Sequence, residues 1–255
     1  RDVAPSRGLG DVYKRQNIYL TSGDCEKSLS LPKICGDPVC GGFPESDFAP
    51  GRVASVAANR IGFMITLDTI RKPVTAELEA FDEFVERQFT AEGELLSDML
   101  RYALSSRGKG IRPLLVLLSA AMNSPVAEAA KGRRVHLAAM LVEMIHVASL
   151  IHDDVIDEAD MRRGKPSANA RWQSHKAVIL GDYILARNLS IGLGSGQFDL
   201  VTHVCGSMAA LCEGEVLQSE CAEKHTMTRQ AYLDIIYKKT ACLIGVSASA
   251  GAMAV

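Results

Sequence analysis

The feature that most restricts how this chain can fold is a long helical run that is apolar on most of its faces. We predict a helix from Gly132 to about Asp160, and its circumference is largely covered by Leu137, Met140, Leu141, Met144, Ile145, Val147 and Ile151. A helix that is apolar all round has to be enclosed by other protein. The sequence therefore predicts a largely buried helix whose acidic end opens into a cavity or cleft.

The chain after residue 63 shows the helical period repeatedly and gives no strand signal. A helical pattern begins at Thr75, and further helices are predicted at residues 112–122, 175 to about 193, 198–221 and 229 to the end. Alternating β-branched runs with hairpin turns between them are missing. No unit repeats with a period of roughly 20–50 residues. The fold class indicated is all-α, in a bundle of helices.

The first 63 residues have a different character. Glycine and proline interrupt them repeatedly, and no period is sustained. We predict that residues 1–63 form no domain and are disordered or non-native upstream sequence, with the native protein beginning at Met64. Mapping of the native N-terminus checks this prediction, because a mature start well before residue 64 contradicts it.

Composition argues against several classes of function. The formal net charge is −2 and 5% of the residues are aromatic, so a general attraction to nucleic acid is not indicated. The longest uncharged apolar-rich stretch, from Thr240, has 16 residues, fewer than the roughly 20 that a bilayer span needs. The seven cysteines include no C-x-x-C pair. We expect a cytoplasmic protein with free thiols, no nucleic-acid partner and no transmembrane segment.

Three aspartates, Asp153, Asp154 and Asp157, follow the apolar run within about one helical turn. At 100° per residue, Asp153 and Asp157 fall on one stripe with His146, and Asp160 lies near it. Two unit charges 4 Å apart repel by about 4 kcal/mol at an effective dielectric of 20. A divalent cation removes this repulsion, and short carboxylates suit Mg²⁺ completed by water and phosphate oxygens. A solvated acidic helix end remains the alternative for this motif taken alone.

Cationic side chains stand on both sides of the acidic turn. Lys109 and Arg112 lie three residues apart on a glycine-rich loop, directly before a helix that begins at Pro113. Together with the helix-start N–H groups they form a candidate anion site for a diphosphate. Arg162 and Arg163 follow the acidic turn. Carboxylates flanked by two cationic groups indicate a pocket for two diphosphate ligands.

The ordered motifs resemble those of the trans-isoprenyl diphosphate synthases, the polyprenyl synthetase family. Between about Met64 and Val255 the chain carries GKGIRP, HVASLIHDDVID, MRRGKPS, GDYILARN, GEVLQ and YKKTACLIG in the family's order. The resemblance implies an isoprenoid-synthase-like helical bundle, incomplete at its C-terminus. Residues 64–255 are then the N-terminal part of a catalytic domain. It further implies a Mg²⁺-dependent transferase that condenses isopentenyl diphosphate with an allylic prenyl diphosphate, head to tail and in trans.

The resemblance assigns the metal and isopentenyl diphosphate sites residue by residue. Asp153 and Asp157 match the ligands of Mg²⁺ on the allylic diphosphate, and Asp154 is expected to support them from behind. The residues that match the family's contacts to the diphosphate of isopentenyl diphosphate are Lys109, Arg112, His146 and Arg163.

The same match extends to the allylic ligand. Arg162 corresponds to the arginine that binds the allylic diphosphate. Lys239 and Thr240 correspond to the catalytic pair beside the leaving group and the nascent cation. We expect packing or supporting roles for Glu143 and Gln218.

Product length and assembly are also implied by the family. Ala148 and Ser149, five and four residues before Asp153, are small, and in the family small residues there leave a tunnel for a growing chain. We therefore expect a long-chain product of the kind used for quinone side chains. A homodimer is expected by analogy.

The chain departs from the family pattern at its end. No clustered aspartates occur between Glu213 and Val255, whereas the family carries a second aspartate-rich motif downstream. We expect a C-terminal truncation, with the 255-residue chain poorly folded or inactive and the full-length gene product a synthase.

Three alternatives stay open at this point. A non-catalytic regulatory subunit of a heteromeric synthase would keep the fold without the full metal site. An HD-type metal phosphohydrolase would use the doublet His152-Asp153, with His136 or His146 as a further ligand. A head-to-head condensing enzyme is also helical and rich in aspartate, although GKGIRP and RRGKPS argue against it.

Overall fold

A computed structural model describes residues 65–124 and 132–255, and these residues fold as predicted into helices. The α-helices are α1 Leu67–Arg71, α2 Thr75–Gln88, α3 Glu94–Ser105, α4 Ile111–Asn123, α5 Arg133–Ile156, α6 Ala168–Trp172, α7 Ser174–Gly194, α8 Phe198–Glu223, α9 Arg229–Ile236 and α10 Cys242–Met253. The all-α fold class is confirmed. The predictions for residues 1–63 and for a start at Met64 lie outside the described residues.

The apolar run forms the central helix of the bundle. Helix α5 packs against α2, α4, α7, α8 and α10, and most of its side chains are buried, including Met140, Leu141 and Met144. Full burial of a side chain of this size stabilises a fold by about 1.5–3 kcal/mol. The prediction of an enclosed helix is therefore confirmed, and its burial fixes the position of the aspartates at its end.

Helix α5 ends at Ile156, four residues before the predicted end. Glu158 has a φ of 48°, and its N–H donates to the carbonyl of Val155 at 3.3 Å while the N–H of Ala159 donates to that of Asp154 at 2.9 Å. This pair of hydrogen bonds is a Schellman motif, which stops a helix. Asp160, which the helical projection placed near the stripe, therefore lies beyond the end of the helix.

A short β-hairpin follows helix α5, although no strand was predicted in this segment. Strand β1, Met161–Arg162, pairs antiparallel with β2, Lys165–Pro166. The two loop residues, Arg163 and Gly164, have φ values of 51° and 78°, as a type I′ turn requires. Strands of two residues are too short to show alternation, which is why the pattern missed them.

The last predicted helix is divided in two. Between α9 and α10, residues Tyr237–Ala241 form a π-helical segment. It packs on α8 at Gly214, where an added Cβ would lie 2.9 Å from the Cβ of Lys238 and 3.3 Å from the backbone nitrogen of Lys239. Such π segments frequently occur at functional sites.

Three helices in the described part of the chain, α5, α7 and α8, are long and apolar enough to cross a membrane, judged by length and composition only. In α5, 78% of the apolar window is buried inside the bundle. The sequence expectation of no transmembrane segment rested on uncharged runs alone, and it stays a prediction.

Candidate active site

A cavity of about 450 Å³ opens at the acidic end of the central helix. It lies between α5, α8, the start of α4 and the π segment. Five of the nine predicted site residues line it: Arg112, His146, Asp153, Lys239 and Thr240. Segments that lie more than 120 residues apart in sequence therefore meet at this cavity. The remaining predicted residues, which are not among its lining residues, are Lys109, Asp157, Arg162 and Arg163.

Asp153 lines this cavity, and Asp157 lies one helical turn further along the chain. The N–H of Asp157 donates to the carbonyl of Asp153 at 2.8 Å, and Asp157 is exposed. Burial, together with the nearby carboxylates of Glu215 and Asp157, raises the pKa of Asp153 to about 6 against the opposing effects of Lys239 and Arg162. The protein therefore leaves part of this negative charge uncompensated.

The donor set fits a magnesium ion that takes most of its ligands from elsewhere. Within residues 65–124 and 132–255, no three His, Cys, Asp or Glu side chains are close enough to hold a metal by themselves. Mg²⁺ commonly binds through one or two carboxylates and completes its shell with water and substrate phosphates. Asp153 and Asp157 suit this mode, and a cation beside them would offset the charge that raises the pKa of Asp153.

Asp154 points away from the cavity and is only 3% exposed. Arg162 holds it, since its Nε lies 2.7 Å from both carboxylate oxygens and its Nη2 lies 2.7 Å from Oδ1. A buried charge of this kind needs its partner, because removing one member leaves the other uncompensated. The structure thus places Arg162, a predicted substrate-binding residue, as the anchor of the hairpin on α5.

Arg163 faces the opposite way and contacts the glycine-rich loop. Its Nη1 donates to the carbonyl of Ser106 at 2.8 Å, and its guanidinium covers Gly108, where an added Cβ would lie 2.1 Å from Nη1. Gly108 also has a φ of 86°, which favours glycine. The first glycine of the GKG motif is therefore required for backbone conformation and for close approach.

Lys109 lines a neighbouring cavity of about 360 Å³ rather than the one beside Asp153. Arg71, Arg107 and Glu143 are also in its wall, and Arg71 donates to the carbonyl of Lys109. The cations predicted to bind isopentenyl diphosphate are therefore divided between two cavities, with Lys109 in one and Arg112 and His146 in the other.

Arg112 and His146 lie where cationic groups accumulate. Burial lowers the pKa of His146 to about 3, and Arg112, Arg163 and Arg162 lower it as well, so the imidazole is neutral at pH 7. The Nε of Arg112 is buried without a hydrogen-bond partner among the described residues. Buried donors are normally paired, and an unpaired one beside a cavity is ready for an anionic acceptor.

Sequence analysis missed Glu215, which holds the predicted catalytic lysine. The Nζ of Lys239 lies 2.5 Å from a Glu215 carboxylate oxygen and 3.0 Å from the Gln218 amide oxygen. Glu215 and Gln218 are three residues apart, and so on one face of α8, which was the available signal. The supporting role expected for Gln218 takes the form of this contact, and Thr240 is exposed beside it.

His152, required by the phosphohydrolase alternative, is engaged elsewhere. Its Nε2 lies 3.2 Å from the carbonyl of Val178 and 3.4 Å from a carboxylate oxygen of Asp182, both on α7. It lines the cavity beside Asp153, but its ring nitrogen is directed to α7. The geometry gives this alternative no support.

Comparison with known families is consistent with the sequence motifs. The polyprenyl synthetase family model matches residues 93–255. The chain is 32% identical over 184 residues to the all-trans-nonaprenyl-diphosphate synthase (geranyl-diphosphate specific) of Rhodobacter capsulatus, across 72% of this chain and 55% of that protein. It is 37% identical over 178 residues to heptaprenyl diphosphate synthase component 2 of Geobacillus stearothermophilus, across 70% of this chain and 54% of that protein.

Solved structures give the same picture. A decaprenyl diphosphate synthase from Rhodobacter capsulatus superposes with a TM-score of 0.67 at 30% identity, covering 73% of this chain and 56% of that one. A polyprenyl synthase from Caulobacter crescentus CB15, complexed with calcium and isoprenyl diphosphate, gives 0.68 at 26% identity, covering 74% and 56%. The chain spans about half the length of the curated relatives it matches.

Proposed function

The chain belongs to the polyprenyl synthetase family. From this premise we propose that it is part of a prenyltransferase that condenses isopentenyl diphosphate with an allylic prenyl diphosphate. The observation that carries the proposal is the convergence of Arg112, His146, Asp153, Lys239 and Thr240 on one cavity at the end of a buried helix. The neutral His146 suits a hydrogen-bond donor to phosphate oxygen.

Magnesium is the metal we propose for the acidic side. Asp153 and Asp157 would hold it, and the ion would neutralise negative charge on a departing diphosphate. Arg112 and Lys239 offer positive charge from the protein itself, in a partly buried position where such charge is more effective than in water. The calcium and isoprenyl diphosphate bound to the Caulobacter relative support this assignment.

A long-chain product is the finer proposal, supported by what lies below the aspartates. Ala148 is fully buried and Ser149 lines the cavity, together with the apolar side chains of Leu150, Leu211 and Leu243. Several curated relatives carry octaprenyl, nonaprenyl and heptaprenyl names, which is in keeping with long products, although another is named a short-chain isoprenyl diphosphate synthase. Use of such a product for quinone side chains, in a cytoplasmic protein, remains part of the proposal.

Assembly has two candidates. A homodimer is proposed by family analogy. The similarity to component 2 of a heptaprenyl diphosphate synthase supports a two-component enzyme as the alternative. Sedimentation of the purified chain, alone and mixed with a candidate partner subunit, distinguishes the two.

The proposed activity is tested by incubating the protein with Mg²⁺, labelled isopentenyl diphosphate and farnesyl diphosphate, and sizing the lipid product by chromatography. We expect Mg²⁺-dependent incorporation of label into a long lipid, abolished by a chelator. Because this chain spans about half the length of its relatives, a protein extended to the relatives' length is the matched sample. Failure of that longer protein to elongate farnesyl diphosphate with isopentenyl diphosphate would refute the proposal.

A further inference from the structure

A buried carboxylate, Glu143, lies among the cationic side chains of the glycine-rich loop. It projects from α5 one turn before His146 and is 2% exposed. It lies in the wall of the cavity that Arg107 and Lys109 also line. No role in the proposed condensation has been given to it, and a buried carboxylate requires an account of its charge.

Charged groups face Glu143 from four segments of the chain: Arg107 after α3, Arg112 on α4, Arg163 in the hairpin turn and Asp82 on α2. The other charged residues of the cavity wall are Arg71, Glu79 and Lys109. Arg107 pairs with Asp82 at 2.8 Å, and Arg163 is held on the carbonyl of Ser106. Cations therefore exceed anions around this carboxylate.

Among the cations around Glu143, Arg112 has a pKa that depends on this carboxylate. Burial lowers the pKa of Arg112 and the charge of Glu143 opposes that effect. The Nε of Arg112 has no hydrogen-bond partner within the described residues. The guanidinium of Arg112 is thus partly desolvated, and its charge is balanced by Glu143. Its Nε–H is still free to donate to another anion.

We propose that Glu143 is the resident counter-ion of the cations around it, and that it takes up a proton from solvent when a diphosphate binds to the cations of the cavity that Glu143 and Lys109 line. The inference rests on the proposed function, since it concerns the same pocket. A diphosphate brings at least two negative charges to the cations that Glu143 balances, so the charged carboxylate becomes unfavourable and is converted to the neutral acid. Glu143 acts on the ligand through the arginines and is a positioning residue.

The pKa of Glu143 allows this proton uptake to occur near pH 7. Burial raises the pKa of Glu143 to about 7, in spite of the opposing effects of Arg107, Arg112 and Arg163. A further negative charge nearby raises the pKa again. Near pH 7 the carboxylate is about half ionised before binding, and linkage then requires uptake of roughly half a proton per site.

The test is calorimetric titration of the protein extended to the relatives' length with inorganic pyrophosphate, without metal, at pH 7 in buffers of different ionisation enthalpy. The dependence of the heat on buffer gives the number of protons exchanged. We expect Glu143→Gln to take up roughly half a proton less than the wild type and to bind pyrophosphate about twofold more tightly at pH 7, because only the ionised half of the wild-type sites has to be protonated. Protons exchanged by pyrophosphate itself cancel in this difference. The matched control is Glu86→Gln, which removes an exposed carboxylate of α2 and should leave both values unchanged.

The outcomes separate the inference from the proposed function. Equal proton exchange in wild type and Glu143→Gln overturns the inference and leaves the proposed function standing. Absence of pyrophosphate binding to the wild type overturns the diphosphate pocket itself, and the inference with it. If Glu143→Gln does not fold, infrared difference spectra of the wild type decide. Pyrophosphate must then induce a protonated-carboxyl C=O band, and a spectrum without that band contradicts us.

Discussion

Asp153 and Asp157 lie one turn apart near the end of α5, and their replacement tests the proposed metal site. We expect Asp153→Asn with Asp157→Asn to lower Mg²⁺-dependent elongation by at least about 100-fold, because charge stabilisation at a transferring group commonly contributes 10²–10³ or more. Labelled isopentenyl diphosphate incorporation measures it in the longer protein. Asp199→Asn is the control, because the exposed Asp199 pairs with Arg134 at the opposite end of α5. Elongation retained in the double variant would remove the basis of the metal assignment.

His146 gives a prediction about acid stability. Its pKa is about 3 in the folded protein against about 6.5 in an unfolded chain, so the unfolded state binds the extra proton. The stability contributed by the neutral ring is therefore complete above pH 6.5 and is lost as pH falls from about 6.5 towards 3. We expect His146→Gln to be more stable than wild type by on the order of 1 kcal/mol at pH 5, relative to their difference at pH 7.

Urea unfolding followed by circular dichroism at pH 7 and pH 5 checks this expectation. His175→Gln is the control, since His175 is exposed at the start of α7. A His146→Gln variant that loses as much stability as wild type between the two pH values contradicts the expectation.

At the scale of elements, the contact between α8 and the π segment sets the position of Lys239. We expect Gly214→Ala to destabilise the protein by about 1–3 kcal/mol, because the added methyl overlaps Lys238 and the backbone of Lys239. Elongation should fall as well. Gly206→Ala, on the same helix with nothing within 4 Å of the added Cβ, should be neutral or stabilising by roughly 0.5–1 kcal/mol. Thermal unfolding of the pair measures the difference, and equal melting temperatures would argue against the close contact.

How far the sequence predicts the elements follows from the range of the interactions that shape them. The apolar period was enough for α5, α7 and α8, because the side chains facing the core repeat along the helix. It was insufficient for the end of α5 at Ile156 and for the hairpin turn, which depend on single residues with positive φ such as Glu158 and Arg163. The π segment depends on a tertiary contact at Gly214, which no local pattern contains.

The site divides in the same way. The charged residues of the site were predicted from sequence motifs. Most of their functional roles were inferred from the resemblance to the trans-isoprenyl diphosphate synthases. The contacts between them were not predicted, because the pairing of Arg162 with Asp154 and of Lys239 with Glu215 is decided by how separate elements meet. Glu143 is the clearest case, since its surroundings come from four separate segments.

At the scale of the whole molecule, the central helix connects the aspartates to the space in which a product would grow. Ser149 lines the cavity, and its Oγ donates to the carbonyl of His146 at 2.9 Å. We expect Ser149→Phe in the longer protein to shorten the lipid product while initial incorporation of label continues, because the larger ring fills space below the aspartates. Ser149→Ala is the size-matched control. Chromatography that shows the same product lengths for wild type and Ser149→Phe would refute the tunnel assignment.

The two-residue turn of the hairpin has a consequence for how this protein can vary. Neighbouring residues Arg162 and Arg163 fasten opposite sides, one to the acidic end of α5 and the other to the glycine-rich loop. A residue inserted or deleted between Met161 and Gly164 would exchange the directions in which the two side chains point and would break both attachments at once. Substitutions at the exposed Lys165 should be accepted here, whereas any change in loop length should be selected against.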